Sequence, residues 1–224
     1  KSIDGADLSG ETVTDTDPPR ISVDTLGYGV LPDAVVGRPY PLFSASATDA
    51  QSGAVQVDTQ VWFVDRGRQA QVSVEDGTFT PFKTGDYTIR YTASDYYGNT
   101  AVTELTVHAS DSWNPIEVPP LIDEDGVTGT VITLLSPVPA GGHGKVTLTS
   151  LSVRDEAGNA IPVTDNTFLP EHEGLYTATY MFTDYLGESV TASYTIDVTT
   201  DAAPILSETP VLPKAFIDGA SYAL

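Results

Sequence analysis

The sequence predicts an all-β fold made of two copies of one sandwich, and three observations carry that expectation. Residues 85–99, GDYTIRYTASDYYGN, reappear 89 positions later as residues 174–188, GLYTATYMFTDYLGE. Apolar and polar residues alternate with a period of two through both copies, the pattern of a strand buried on one face. Helical periodicity is absent along the chain. A fixed internal repeat bounds the architecture before any single residue is interpreted.

Residues 74–107 align with 163–196 without a gap. The alignment pairs Val74 with Val163, Phe79 with Phe168, Pro81 with Pro170, Tyr91 with Tyr180 and Gly98 with Gly187. In the shared strand Tyr87, Ile89, Tyr91 and Ala93 fall on one face, as do Tyr176, Ala178, Tyr180 and Phe182. After an Asp-x-x-Gly turn the same face resumes with Ala101, Thr103, Leu105 and Val107, and with Val190, Ala192, Tyr194 and Ile196, which predicts a hairpin in each copy. Upstream, residues 61–74 and 150–163 each read as strand, Gly-containing turn, strand. Short strands with regular turn signals over about 90 residues are the size of an immunoglobulin-like sandwich.

Asp-to-Pro junctions punctuate the copies at residues 16–19, 110–115 and 200–204, where proline stiffens a short connection. They divide the chain into a remnant of a preceding module at 1–16, sandwiches at 17–110 and 111–200, and the first strand or so of a further module at 201–224. The last assignment rests on the likeness of VLPKAFIDGASYAL (211–224) to VLPDAVVGRPYPL (30–42). The chain is thus expected to be a slice of a longer array, with terminal strands available for self-association. Its start, KSIDGADLSG, lacks the basic, apolar, small-residue order of a signal peptide.

The repeated motif, Gly-x-Tyr-x-x-x-Tyr-x-x-x-Asp-x-x-Gly followed by a Thr-rich strand and an Asp-to-Pro junction, resembles the bacterial immunoglobulin-like and hyalin-repeat-like tandem modules of secreted and surface-anchored proteins. The likeness covers residues 17–200 as two full copies, the second departing with Glu188 where the first has Asn99. The resemblance implies an extracellular, cell-surface setting and neighbouring modules of the same chain as partners. Such modules serve as stalks, adhesin segments or accessory domains of secreted enzymes, so the fold alone does not choose among these roles.

Composition narrows the chemistry. The 31 acidic and 10 basic side chains give a net charge of −21, which opposes binding to nucleic acid or an anionic membrane. No run of apolar residues is long enough to span a bilayer. The absence of cysteine removes disulfides, thiolate metal sites and a cysteine nucleophile. His108, His143 and His172 sit at unrelated points of the repeat, and no phosphate-cradling or nucleophile-elbow motif is present, so no enzyme activity is expected.

Tyr87 and Tyr176, two residues after Gly at the start of a core strand, are expected to act as tyrosine corners. Asp95 and Asp184 are expected to accept from turn amides, and Gly98 and Gly187 to supply positive φ. No cofactor is required. Calcium is the one candidate ion, with Asp15, Asp17, Asp111, Asp123, Asp125 and Asp201 clustered near the junctions as its candidate ligands. Tyr96, Tyr97, Tyr185 and Trp113 are the candidate contacts for a glycan or protein ligand, the opposing reading being that they pack against neighbouring structure. The favoured function is a non-catalytic structural spacer.

Overall fold

The computed structural model describes residues 15–201. The expected remnants at 1–16 and 201–224 therefore lie outside the described residues, apart from Asp15, Thr16 and Asp201. All regular structure among the described residues is strand. The chain is an all-β, immunoglobulin-like sandwich fold in tandem copies.

The hairpin of each copy supplies the two long central strands of a five-stranded sheet. In the first copy Gly85–Ser94 pairs antiparallel with Thr100–Ser110, Tyr87 lying opposite Val107 and Ala93 opposite Ala101. Val57–Asp65 pairs on the other side of Gly85–Ser94 and turns back as Arg68–Val72. Ala34–Val35 closes the far edge by running parallel to Thr100–Ser110. Two three-stranded sheets complete the copy: Arg20–Val23 with Ala45–Asp49 and Gly53–Val55, and Tyr40–Pro41 with Thr78–Phe79 and Val74–Glu75.

The second copy repeats the order, Glu124–Val127, Ser189–Thr199, Gly174–Thr183, Thr147–Asp155 and Ala160–Ile161 forming a five-stranded sheet. Its edge strand is again parallel, Glu124 lying opposite Ile196. Ile132–Thr133 pairs with Thr167–Phe168, the counterpart of the first copy's Tyr40–Pro41 and Thr78–Phe79.

The period-two pattern becomes burial because successive side chains of a strand point to opposite faces. Tyr87, Ile89, Tyr91 and Ala93 are buried, and so are Tyr176, Ala178, Tyr180 and Phe182. Removing a side chain of this size from water contributes roughly 1.5–3 kcal/mol before conformational entropy is charged against it.

The described residues divide into two compact units that do not follow the repeat boundaries: 15–121, 136–151 and 179–192 make the first, and 122–135, 152–178 and 193–201 the second. The first unit's core is Ala34, Tyr40, Phe43, Val61, Phe63, Phe79, Tyr87, Ile89, Tyr91, Val107 and Ala109, with Tyr185 and Leu186 of the second copy packed against it. In the second unit Leu134, Val153, Phe168, Tyr176, Ala178, Tyr194, Ile196 and Val198 are buried.

Candidate functional site, the two hairpin tips

The two hairpin tips, residues 95–99 and 184–188, both lie in the first compact unit. Each has the same backbone. Asp95 N–H donates to Asn99 O at 3.0 Å and Gly98 N–H to Asp95 O at 3.3 Å; Asp184 to Glu188 O and Gly187 to Asp184 O repeat this at 3.0 and 3.2 Å. One carboxylate oxygen caps each turn, Asn99 N–H donating to Asp95 Oδ1 at 2.8 Å and Glu188 N–H to Asp184 Oδ1 at 3.0 Å. Gly98 and Gly187 stand at φ 93° and 84°, a backbone conformation that L side chains rarely adopt. In the second compact unit Asp155, Gly158 and Asn159 form the same turn, with Asn159 N–H on Asp155 Oδ1 at 2.7 Å. The signal for this third turn is in the sequence, since its Asp-x-x-Gly-Asn spelling matches residues 95–99.

Beyond the backbone the two tips differ. At the first, Asn99 Nδ2 donates both to Asp95 Oδ2 at 2.8 Å and to the backbone oxygen of Asp15 at 3.1 Å. This draws the segment that precedes the first strand onto the tip. The loop after Ala45–Asp49 is drawn in as well, because Tyr96 N–H donates to Ser52 Oγ at 3.2 Å.

Asp49, at the end of that strand, accepts from Gln51 N–H and Ser52 N–H at 2.8 and 2.7 Å. These backbone donors, Ser52 first, hold its carboxyl below the usual carboxylate range. One carboxylate oxygen each from Asp15, Asp49 and Asp95 then lies within 4.8 Å of the other two. Asp15 is 8% exposed; its Oδ1 accepts from Asp17 N–H at 3.0 Å, and its Oδ2 is buried without a hydrogen-bond partner.

At the second tip the carboxylate is filled by backbone. Asp184 Oδ2 accepts from His143 N–H at 2.8 Å, and Tyr185 N–H donates to His143 O at 3.0 Å. The Tyr185 ring stacks on Phe43 at 5.3 Å and meets Tyr40 and Tyr28 edge-on at 5.3 and 5.6 Å, while its hydroxyl donates to Pro41 O at 2.7 Å. Burial pushes the Tyr185 and Tyr40 phenols well above the ordinary tyrosine range, and pushes that of Tyr91 up to about 12. Glu188, standing where the first tip has Asn99, pairs with Arg38, whose guanidinium also lies 3.8 Å from the centroid of the Trp113 ring. Trp113 in turn packs against His143, ring centroids 4.9 Å apart.

The remaining candidates divide as follows. Tyr87 Oη donates to Lys83 O at 2.9 Å and accepts from Phe82 N–H and Lys83 N–H at 3.1 and 3.2 Å; Tyr176 Oη donates to His172 O at 2.8 Å. Of the sequence's six calcium candidates, Asp15 alone joins a carboxylate group among the described residues, and its companions are Asp49 and Asp95. Asp17, Asp111, Asp125 and Asp201 are exposed, and Asp123 Oδ1 is occupied by Thr195 N–H at 2.7 Å. Tyr96 and Tyr97 remain 90% and 44% exposed, their rings edge to face at 5.5 Å. Tyr185 is instead packed against the first unit's core, while Trp113 is 38% exposed and touches Arg38 and His143. Asp49 was missed because nothing in its own loop, ATDAQSG, marks it; only strand pairing carries it to residues 15 and 95.

No family model and no curated protein matches this chain. Among solved structures it is similar to the fibronectin(III)-like modules of CbhA from Clostridium thermocellum, at 14% identity over 81% of this chain and 95% of that one, TM-score 0.39. It is also similar to the three N-terminal domains of the highly immunogenic outer capsid protein of bacteriophage RB49, at 8% identity over 83% and 71% of the two chains, TM-score 0.34. A third similarity is to the N-terminal Ig1-2 module of the Drosophila receptor protein tyrosine phosphatase DLAR, at 12% identity over 82% and 100%, TM-score 0.28. No helix among the described residues is long and apolar enough to cross a membrane.

Proposed function

We propose that this chain is a spacer segment of an extracellular bacterial surface protein, of the immunoglobulin-like, hyalin-repeat-like kind that its motif resembles, with stiffness as its work and no bond-making role. One observation carries the reading. Tyr185, at a repeated position, is packed into a core built from the other copy, so residues far apart in sequence share one compact unit. Packing of this kind resists bending, because a well-packed core has few alternative arrangements. The repeated Tyr87, Tyr176, Asp95 and Asp184 all make backbone contacts that serve the fold.

Pulling the chain from its ends in a single-molecule force experiment tests this. The expected trace has discrete unfolding steps, with little extension before the first; a compliant, gradual extension at low force would refute the spacer reading. A second reading, recognition of a glycan or protein, is favoured by the exposed Tyr96 and Tyr97 pair, which presents ring faces and edges to solvent. A glycan array probed with the chain and with its Tyr96→Ala/Tyr97→Ala variant separates the two: binding lost in the variant supports recognition.

A further inference from the structure

We infer that Asp15, Asp49 and Asp95 form a binding site for a hard divalent cation of the calcium class. Their ligand oxygens lie within 4.8 Å of one another. Oxygens bonded to one calcium ion at roughly 2.3–2.6 Å are separated by up to about 5 Å, a spacing that this group meets. No histidine or cysteine belongs to the group, and an all-oxygen donor set selects hard cations over zinc or copper.

The independent observation is the state of Asp15. It is nine-tenths buried, its Oδ2 has no hydrogen-bond partner among the described residues, and its carboxyl group lies against that of Asp49. Ionised carboxylates only accept hydrogen bonds, so neither can satisfy the other. None of the ion pairs among the described residues reaches Asp15, Asp49 or Asp95. A buried acceptor facing a second carboxylate with no cationic side chain at hand requires a positive charge from solution.

The surrounding contacts keep these oxygens in place. Gln51 and Ser52 N–H both bind Asp49 Oδ1, Asp17 N–H binds Asp15 Oδ1, and Asn99 ties Asp95 to the Asp15 backbone. The second tip is a natural contrast, since the Asp184 oxygen matching Asp95 Oδ2 is already taken by His143 N–H. Bound cation would clamp three segments distant in sequence, residue 15, the loop after residue 49 and the tip at residue 95. Three carboxylates with water completing the shell suit the weak range of extracellular calcium modules, Kd of about 10⁻⁴–10⁻³ M.

The test uses the whole chain stripped with chelator and then titrated with calcium, read by calorimetry and by thermal unfolding. Calcium at about ten times Kd is expected to raise Tm by about 3–6 °C. Asp15→Asn and Asp49→Asn should each weaken calcium binding at least about tenfold. Asp15→Asn should nevertheless be as stable as the parent, or more so, in chelator, because its amide can donate to Asp49 where the carboxylate cannot. Asp111→Asn and Asp125→Asn should keep the full calcium response. The inference is overturned if Tm is equal in calcium and chelator. It is equally overturned if the response survives both Asp15→Asn and Asp49→Asn, or if mild acid stabilises the parent while calcium adds no heat, which would identify a proton shared between Asp15 and Asp49.

Discussion

The tips at residues 95–99 and 184–188 share a turn, a capping carboxylate and a positive-φ glycine, yet they do opposite things with the rest of their surface. The first leaves its aromatics in solvent and gathers two more carboxylates around Asp95. The second buries Tyr185 against Tyr28, Tyr40 and Phe43, fills Asp184 with a backbone N–H, and turns Glu188 toward Arg38. A repeated motif therefore specifies the turn, while the function of each copy is set by whatever the fold places beside it. The partner decides: at Asp184 a backbone donor is in reach, and at Asp95 the additional neighbours are acceptors like itself.

The contrast can be broken most severely at Tyr185. Tyr185→Ala removes a ring packed on three others and a hydroxyl bonded to Pro41, and should cost about 2–4 kcal/mol in urea unfolding. Tyr96→Ala at the matching position of the first tip should stay within about 0.5 kcal/mol. Equal costs would abolish the distinction between a packed tip and a solvated one.

Gly144→Ala probes the same packing from the other side. Its new Cβ would lie 2.7 Å from Pro32 Cγ, 2.8 Å from Tyr28 Oη and 2.9 Å from Tyr185 Cβ, on a backbone at φ 76°. A loss of about 1–3 kcal/mol is expected, measured by the same unfolding.

Alkaline pH sharpens the comparison without mutation. Tyr91, Tyr40 and Tyr185 hold their protons more tightly folded than unfolded, chiefly because burial disfavours the phenolate. The stability they confer is fully present below pH about 10, where the unfolded chain is still protonated, and is lost as pH rises toward the Tyr91 value of about 12. Tyrosinate absorbance from Tyr91, Tyr40 and Tyr185 should appear only together with unfolding. A single smooth titration with no unfolding step would contradict the burial.

The smallest effect is expected at Arg38. Arg38→Ala removes a half-exposed ion pair to Glu188 and the stacking on Trp113, and should cost about 1 kcal/mol, less in high salt.

Much of the fold was legible because its rules are local. Strand identity, the buried face of Tyr87 to Ala93, the hairpins and the tyrosine corners all follow from a period of two and from turn residues within a few positions of each other. The candidate site was half legible. Asp15 could be marked as an acid near a junction, but Asp111, Asp123 and Asp125 are equally acidic and near one, and composition cannot rank them. Asp49 carried no signal of its own, and Asp95 could be read as a turn residue without hinting at the two carboxylates beside it. Tyr185 was indistinguishable from Tyr96 in sequence, since each directly follows the tip aspartate, although one is packed against a core and the other is solvated.

By itself the sequence determined that this chain folds as repeated β-sandwich copies, because alternation and turn chemistry are properties of neighbours along the backbone. Only the tertiary structure decided which acidic side chains share one another's field and which aromatic tip is buried. Those outcomes depend on tertiary contacts that join residue 15 to residue 99 and residue 41 to residue 185, separations over which local pattern carries no information.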